Sequence, residues 1–104
     1  QALGAAHPST LNSVNNLAYL LNEQARRPEA VQLLRSYASD SADAEDALAY
    51  NLACYECLEG NTDEAKRLIA EHLKKHPENK EQALADEDFT SIREFIEALP
   101  NPKN

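Results

Sequence analysis

A self-similarity at an offset of 35 residues constrains this chain more than any other feature. Shifted by that amount, Asn16-Leu17-Ala18 falls on Asn51-Leu52-Ala53, Glu29-Ala30 on Glu64-Ala65, and Leu33-Leu34 on Leu68-Ile69. The same shift sets Ala25 on Gly60. Matches held at one offset mark a repeated unit that buries its hydrophobic face by stacking on its neighbour. The second copy, within residues 49–77, is the clearer one. Ala65, Leu68, Ile69, His72 and Leu73 recur at i, i+3, i+4, i+7 and i+8, which is a helix face. Leu52, Ala53 and the run Tyr55 to Leu58 supply the helix before it. Between them Gly60 suits a left-handed C-terminal cap, and Asn61 with Glu64 suits a capping box. Pro77 cannot continue the second helix. Each unit is therefore a helical hairpin.

In the first copy a helix opens at His7-Pro8-Ser9, with His7 as its cap, and runs to about Gln24 on a stripe of Leu11, Val14, Leu17, Ala18, Leu20 and Leu21. A second opens at Arg27-Pro28 with Ala30, Val31, Leu33, Leu34 and Tyr37 on its apolar side. Residues 38–43 connect the hairpins, and Asp43, Glu45 and Asp46 favour the next helix N-terminus. After Pro77 the pattern does not return. A short helix over residues 78–85 meets a break at Asp86-Glu87-Asp88, and Phe89, Ile92, Phe95, Ile96 and Leu99 give a last amphipathic helix stopped by Pro100. This pair is the expected cover for the final hydrophobic face of a stack. Residues 1–7 lack periodicity, and residues 101–104 are expected to fray. With two glycines and no sustained alternation, the chain reads as all-α: an α-solenoid of stacked antiparallel hairpins with a capping pair. At 104 residues it is one domain, with repeat one at about 8–38, repeat two at about 44–77 and the cap at about 78–99, or a piece of a longer array.

The formal charge of −8 opposes nucleic-acid binding. No apolar run approaches the ~20 residues of a membrane span, so no membrane partner is expected. The sequence opens on Gln1 without a secretory signal, and an upstream segment is expected to be missing. Two cysteines three apart in a helix cannot bridge easily, which points to a reducing compartment and a cytoplasmic location.

On Leu52-Ala53, Gly60, Ala65 and Pro77, and on Leu17-Ala18 and Ala30, the chain resembles tetratricopeptide repeats. Those are helix pairs of about 34 residues that stack into a right-handed superhelix. The segment LGAAHPSTLNSVNNLAYLL is similar to the kinesin-light-chain branch of that family. The stretches YNLACYECLEG and ALADEDFTSIREF resemble the ends of bacterial repeat arrays. The second repeat departs from the family pattern by placing Glu56 where an aromatic is common and His72 where alanine is usual. The first lacks the turn glycine, having Ala25 there.

The spacing Cys54-x₂-Cys57-x₁₄-His72-x₃-His76 matches a zinc pattern. Helix rise excludes it. Helices that turn at Gly60 run antiparallel, so Cys57 stands roughly 5 Å from the turn and His76 roughly 21 Å. The cysteines are read as packed or groove-facing, His72 as a packed histidine, and no metal or cofactor is expected. No arrangement of nucleophile, base and orienter appears, and no glycine loop cradles a phosphate, so no catalytic residue is assigned and the chain is not read as an enzyme.

The resemblance implies instead a peptide-binding groove lined by the first helix of each hairpin. It would comprise Asn12, Asn15, Asn16, Tyr19, Asn22 and Glu23 with Ala47, Tyr50, Asn51, Cys54, Cys57 and Leu58. Asn16 and Asn51 occupy equal places, and a carboxamide both donates to and accepts from an extended peptide backbone. The asparagines bonding only to neighbouring helices or water is the competing reading. The expected function is thus a protein-interaction module for a peptide or protein segment. The alternative is a structural cap or self-association segment, a homodimer through the uncovered first hairpin.

Overall fold

The computed structural model describes residues 8–100. The order is α1 (Pro8–Glu23), α2 (Arg27–Ala38), α3 (Ala42–Leu58), α4 (Thr62–Lys75), a 3₁₀ turn (Pro77–Asn79), α5 (Lys80–Ala85), a second 3₁₀ turn (Glu87–Ile92) and α6 (Arg93–Ala98). The described residues are all-helical and contain no strand. His7 as a helix cap, the aperiodic segment 1–7 and the fraying of residues 101–104 lie outside them.

The 35-residue offset recurs in the backbone. Closing α1, the amides of Gln24, Ala25 and Arg26 donate to Leu20, Asn22 and Leu21; closing α3, those of Glu59, Gly60 and Asn61 donate to Tyr55, Cys57 and Glu56. The bonds spanning five residues, Arg26 to Leu21 at 2.8 Å and Asn61 to Glu56 at 2.9 Å, are the outer bonds of Schellman caps. Both turns need a left-handed residue. Gly60 supplies φ +88°, and Ala25 adopts φ +62° despite its Cβ.

Helix α3 is the centre of the molecule. All six residues from Leu52 to Cys57 are buried, because α1 and α2 cover one side and α4 and the turn Glu87–Ile92 cover the other. The core is continuous from Leu11, Val14 and Ala18 of α1, through Leu34, Leu48 and Ile69, to Phe89, Ile92 and Ile96 of the C-terminal segment. Small residues allow this approach: Ala18, Ala30, Ala53 and Ala65 are wholly buried.

Some local expectations change. Leu17 and Leu20 do not join the core and are exposed, so the buried stripe of α1 is Leu11, Val14 and Ala18, with Leu21 at its edge. The capping box does not form. The Asn61 carboxamide reaches back to the Glu56 carboxylate at 2.8 Å, and Glu64 pairs with Arg67 at 2.8 Å. Asn61 is drawn away because Glu56, fully buried, takes its other bond from Arg35 at 2.6 Å. The last helix starts as a 3₁₀ turn, capped by Asp86, which accepts from the Asp88 amide at 3.0 Å.

Candidate protein-binding surface

The residues expected in the groove divide into three groups. Asn12, Asn16, Tyr19 and Glu23 are exposed on α1, the Tyr19 ring at 55%. Among the described residues the Asn12 and Asn16 carboxamides have no side-chain hydrogen-bond partner. Asn15, Asn22 and Asn51 are half-buried and occupied: Asn51 donates to Asn15 at 3.1 Å across the α1–α3 contact, and Asn22 accepts from Arg27 at 2.9 Å. Asn16 and Asn51, equal in sequence, are thus unequal in place.

Tyr50, Cys54 and Cys57 form the third group, and they are not open to a ligand. The turn Glu87–Ile92 lies over them. The Tyr50 hydroxyl donates to Asp86 at 2.9 Å, Cys54 sits 3.8 Å from the same carboxylate, and Cys57 Sγ lies 3.1 Å from Ser91 Oγ. Burial, reinforced by Asp86, pushes the Cys54 thiol and the Tyr50 phenol above their ordinary ranges. Burial also raises Asp88, with Asp86 adding to it. Sequence alone misses this cover, since nothing in the YNLACYECL stretch encodes what packs on it from thirty residues away. Ala47, in the second turn of α3, and Leu58, its last residue, remain exposed.

Two further features lie away from α1. An apolar cleft of about 450 Å³ runs between the end of α4 and Leu99-Pro100, lined by Ala70, Leu73 and Pro77. At the start of α3, Asp46 meets His72 of α4 and His76, which caps that helix: its Oδ2 lies 2.8 Å from His76 Nε2 and its Oδ1 3.7 Å from His72 Nδ1. Burial, with His76 second, lowers the His72 pKa, whereas the Asp46 hydrogen bond raises that of His76. The four-residue Cys/His pattern does not assemble: Cys54 faces Asp86, Cys57 faces Ser91, and the histidines face Asp46.

No protein-family model matches the chain, and neither a curated protein nor a solved structure gives a significant match. Among the described residues no helix is long and apolar enough to cross a membrane.

Proposed function

We propose that this chain is a non-enzymatic protein-interaction module of tetratricopeptide-like, α-solenoid architecture that holds a peptide or protein segment against the outer face of α1. The exposure of the Tyr19 ring beside Asn12 and Asn16, with Glu23 one turn on, carries this reading. An aromatic ring offers large contact area at low entropic cost, and the carboxamides can pair with a peptide backbone. The recurrence of both turn geometries at the 35-residue offset supports the architecture. The binding surface is narrower than the resemblance implies and belongs mostly to the first hairpin.

Selection of random displayed peptides on the immobilised chain tests this. Enriched peptides are expected to bind in solution and to lose about tenfold or more in affinity on Tyr19→Ala or Asn16→Ala. Asn51→Ala should weaken them less, because that side chain is already engaged with Asn15. Failure to enrich any peptide, or equal binding by wild type and Tyr19→Ala, sinks the reading.

A second reading has its own observation. Leu17 and Leu20 are 49% and 53% exposed, on a flank of α1 about 140–160° round from Asn15, which meets Asn51 of α3, and from Asn22, which meets Arg27 of α2. That flank fits a further hairpin or a second copy of the chain. Sedimentation across a wide concentration range should then show a dimer that Leu17→Glu with Leu20→Glu abolishes. A monomer at every concentration excludes self-association.

A further inference from the structure

The Asp46–His72–His76 cluster carries an inference that neither the groove nor the self-association reading uses. One ligand atom from each residue lies within 4.8 Å of the other two. Zinc-class ions bound at ~2.0–2.2 Å place neighbouring donors about 3.3–3.6 Å apart, so the set is within about 1.5 Å of coordination geometry. The three come from two elements that meet at equal height. Counted from the helix ends flanking the Gly60 turn, Leu58 and Thr62, Asp46 stands 12 residues up α3, and His72 and His76 stand 10 and 14 up α4. The rise per residue puts them at about 18, 15 and 21 Å. The same arithmetic that separates the histidines from the cysteines brings them level with this carboxylate.

The decisive atom is His72 Nδ1. It is fully buried and has no hydrogen-bond partner, although its residue is only 8% exposed. An orphaned buried nitrogen is costly, and here it points toward Asp46 without reaching hydrogen-bond distance. Of the opposite ring nitrogens, that of His72 is already hydrogen-bonded from outside and that of His76 has a carboxylate nearby. Asn79 lies 3.1 Å from His72 Nε2, and Glu78 lies 3.6 Å from His76 Nδ1. This is the arrangement of metal-bound imidazoles, where an outer partner fixes the tautomer and orients the ring. Coordination through Nδ1 requires the proton on Nε2, and the Asn79 carboxamide, turned over, presents its oxygen to that proton. A cavity of about 30 Å³ adjoins the cluster, lined by Asp46, His72, Glu45 and Glu71 and also by Arg67 and Lys75.

We propose that Asp46, His72 Nδ1 and His76 Nε2 form a site for one borderline divalent metal ion of the zinc class, with water completing the shell. Two imidazoles and one carboxylate favour such an ion over calcium or magnesium, which take oxygen ligands. Bound there, the ion fastens the start of α3 to the end of α4 and satisfies the orphaned nitrogen.

Titration of chelator-washed chain with Co(II), followed by its visible absorption and by Zn(II) displacement, tests the site. The expected result is one ion per chain, bound at least tenfold more weakly by Asp46→Asn and by His76→Gln and unchanged by Cys54→Ser with Cys57→Ser. His76 is about one-third exposed, and circular dichroism establishes that each variant is folded. Independently of any variant, the ¹⁵N resonance of His72 Nδ1 should move on Zn(II) addition to the wild type. Absence of binding below about 100 μM, binding lost with the cysteines, binding untouched by His76→Gln, or an unmoved His72 Nδ1 resonance overturns the proposal.

Discussion

The two hairpins close with the same hydrogen bonds, yet one is half-open and the other is enclosed. In the first, α1 keeps Leu17, Tyr19 and Leu20 exposed, and its turn rests on an alanine in a left-handed conformation. In the second, α3 is covered on both sides, its turn has the glycine, and a buried carboxylate ties the turn to the neighbouring hairpin. Leu21 occupies the place of Glu56, so the first turn has no such tie. One backbone plan thus serves as a surface in one copy and as a core in the other. What packs from outside decides which.

The most disruptive test removes that cover. Phe89, fully buried, stacks edge-on to Tyr50 at 5.5 Å, and Phe89→Ala should cost about 3–5 kcal/mol in denaturant unfolding. In the native wild type Cys54 and Cys57 should resist thiol reagents, since both are buried and the Cys54 pKa is raised. The variant should react under conditions where the wild type does not. If α3 stays protected without Phe89, the enclosure has another origin.

Next in size is the buried charge. Arg35→Ala leaves Glu56 with only Asn61 and should cost about 3 kcal/mol by thermal or chemical unfolding. Glu56→Leu, which copies the first hairpin at this place, should cost much less. Arg35 is half-exposed and Asn61 exposed, so both can return to water. A large loss in Glu56→Leu would mean that the ion pair itself defines the second turn.

The smallest effects come from exchanging the turn residues. A Cβ at Gly60 meets nothing within 4 Å, so Gly60→Ala is penalised by its φ alone, about 1 kcal/mol. Ala25→Gly should raise stability by about 1 kcal/mol for the reciprocal reason. The double variant should melt close to the wild type if the two turns act independently across the Arg27–Glu59 pair that joins them at 3.1 Å. Unequal magnitudes would show that the enclosed turn is held by its neighbours as well as by its backbone.

The elements that repeat were legible because local periodicity and turn chemistry encode them: the boundaries near Glu23, Arg27 and Lys75 follow from apolar spacing, Pro28 and Pro77. The left-handed turn at Gly60 was readable for the same reason. What escaped depends on contacts distant in sequence. Asn61 forms no cap because Glu56, itself held by Arg35, claims its side chain. Cys54 and Cys57 leave the groove because residues from Asp86 onward pack over them. Asp46, one of several acids near a helix start, gives no sequence sign that it will meet two histidines thirty residues on. Exposure of Leu17 and Leu20 was hidden by their apolar character, since spacing alone does not say whether a flank has a neighbour.

The shared turn geometry also sets an order of assembly. Within each hairpin the contacts join residues close in sequence, so loop closure is cheap and formation should be fast. The second hairpin has the relaxed glycine turn and should nucleate first, with the strained Ala25 turn closing against it. Docking of Glu87–Ile92 on α3 spans some thirty residues and should come last. A stopped-flow experiment would see this as thiol protection that lags behind helix formation.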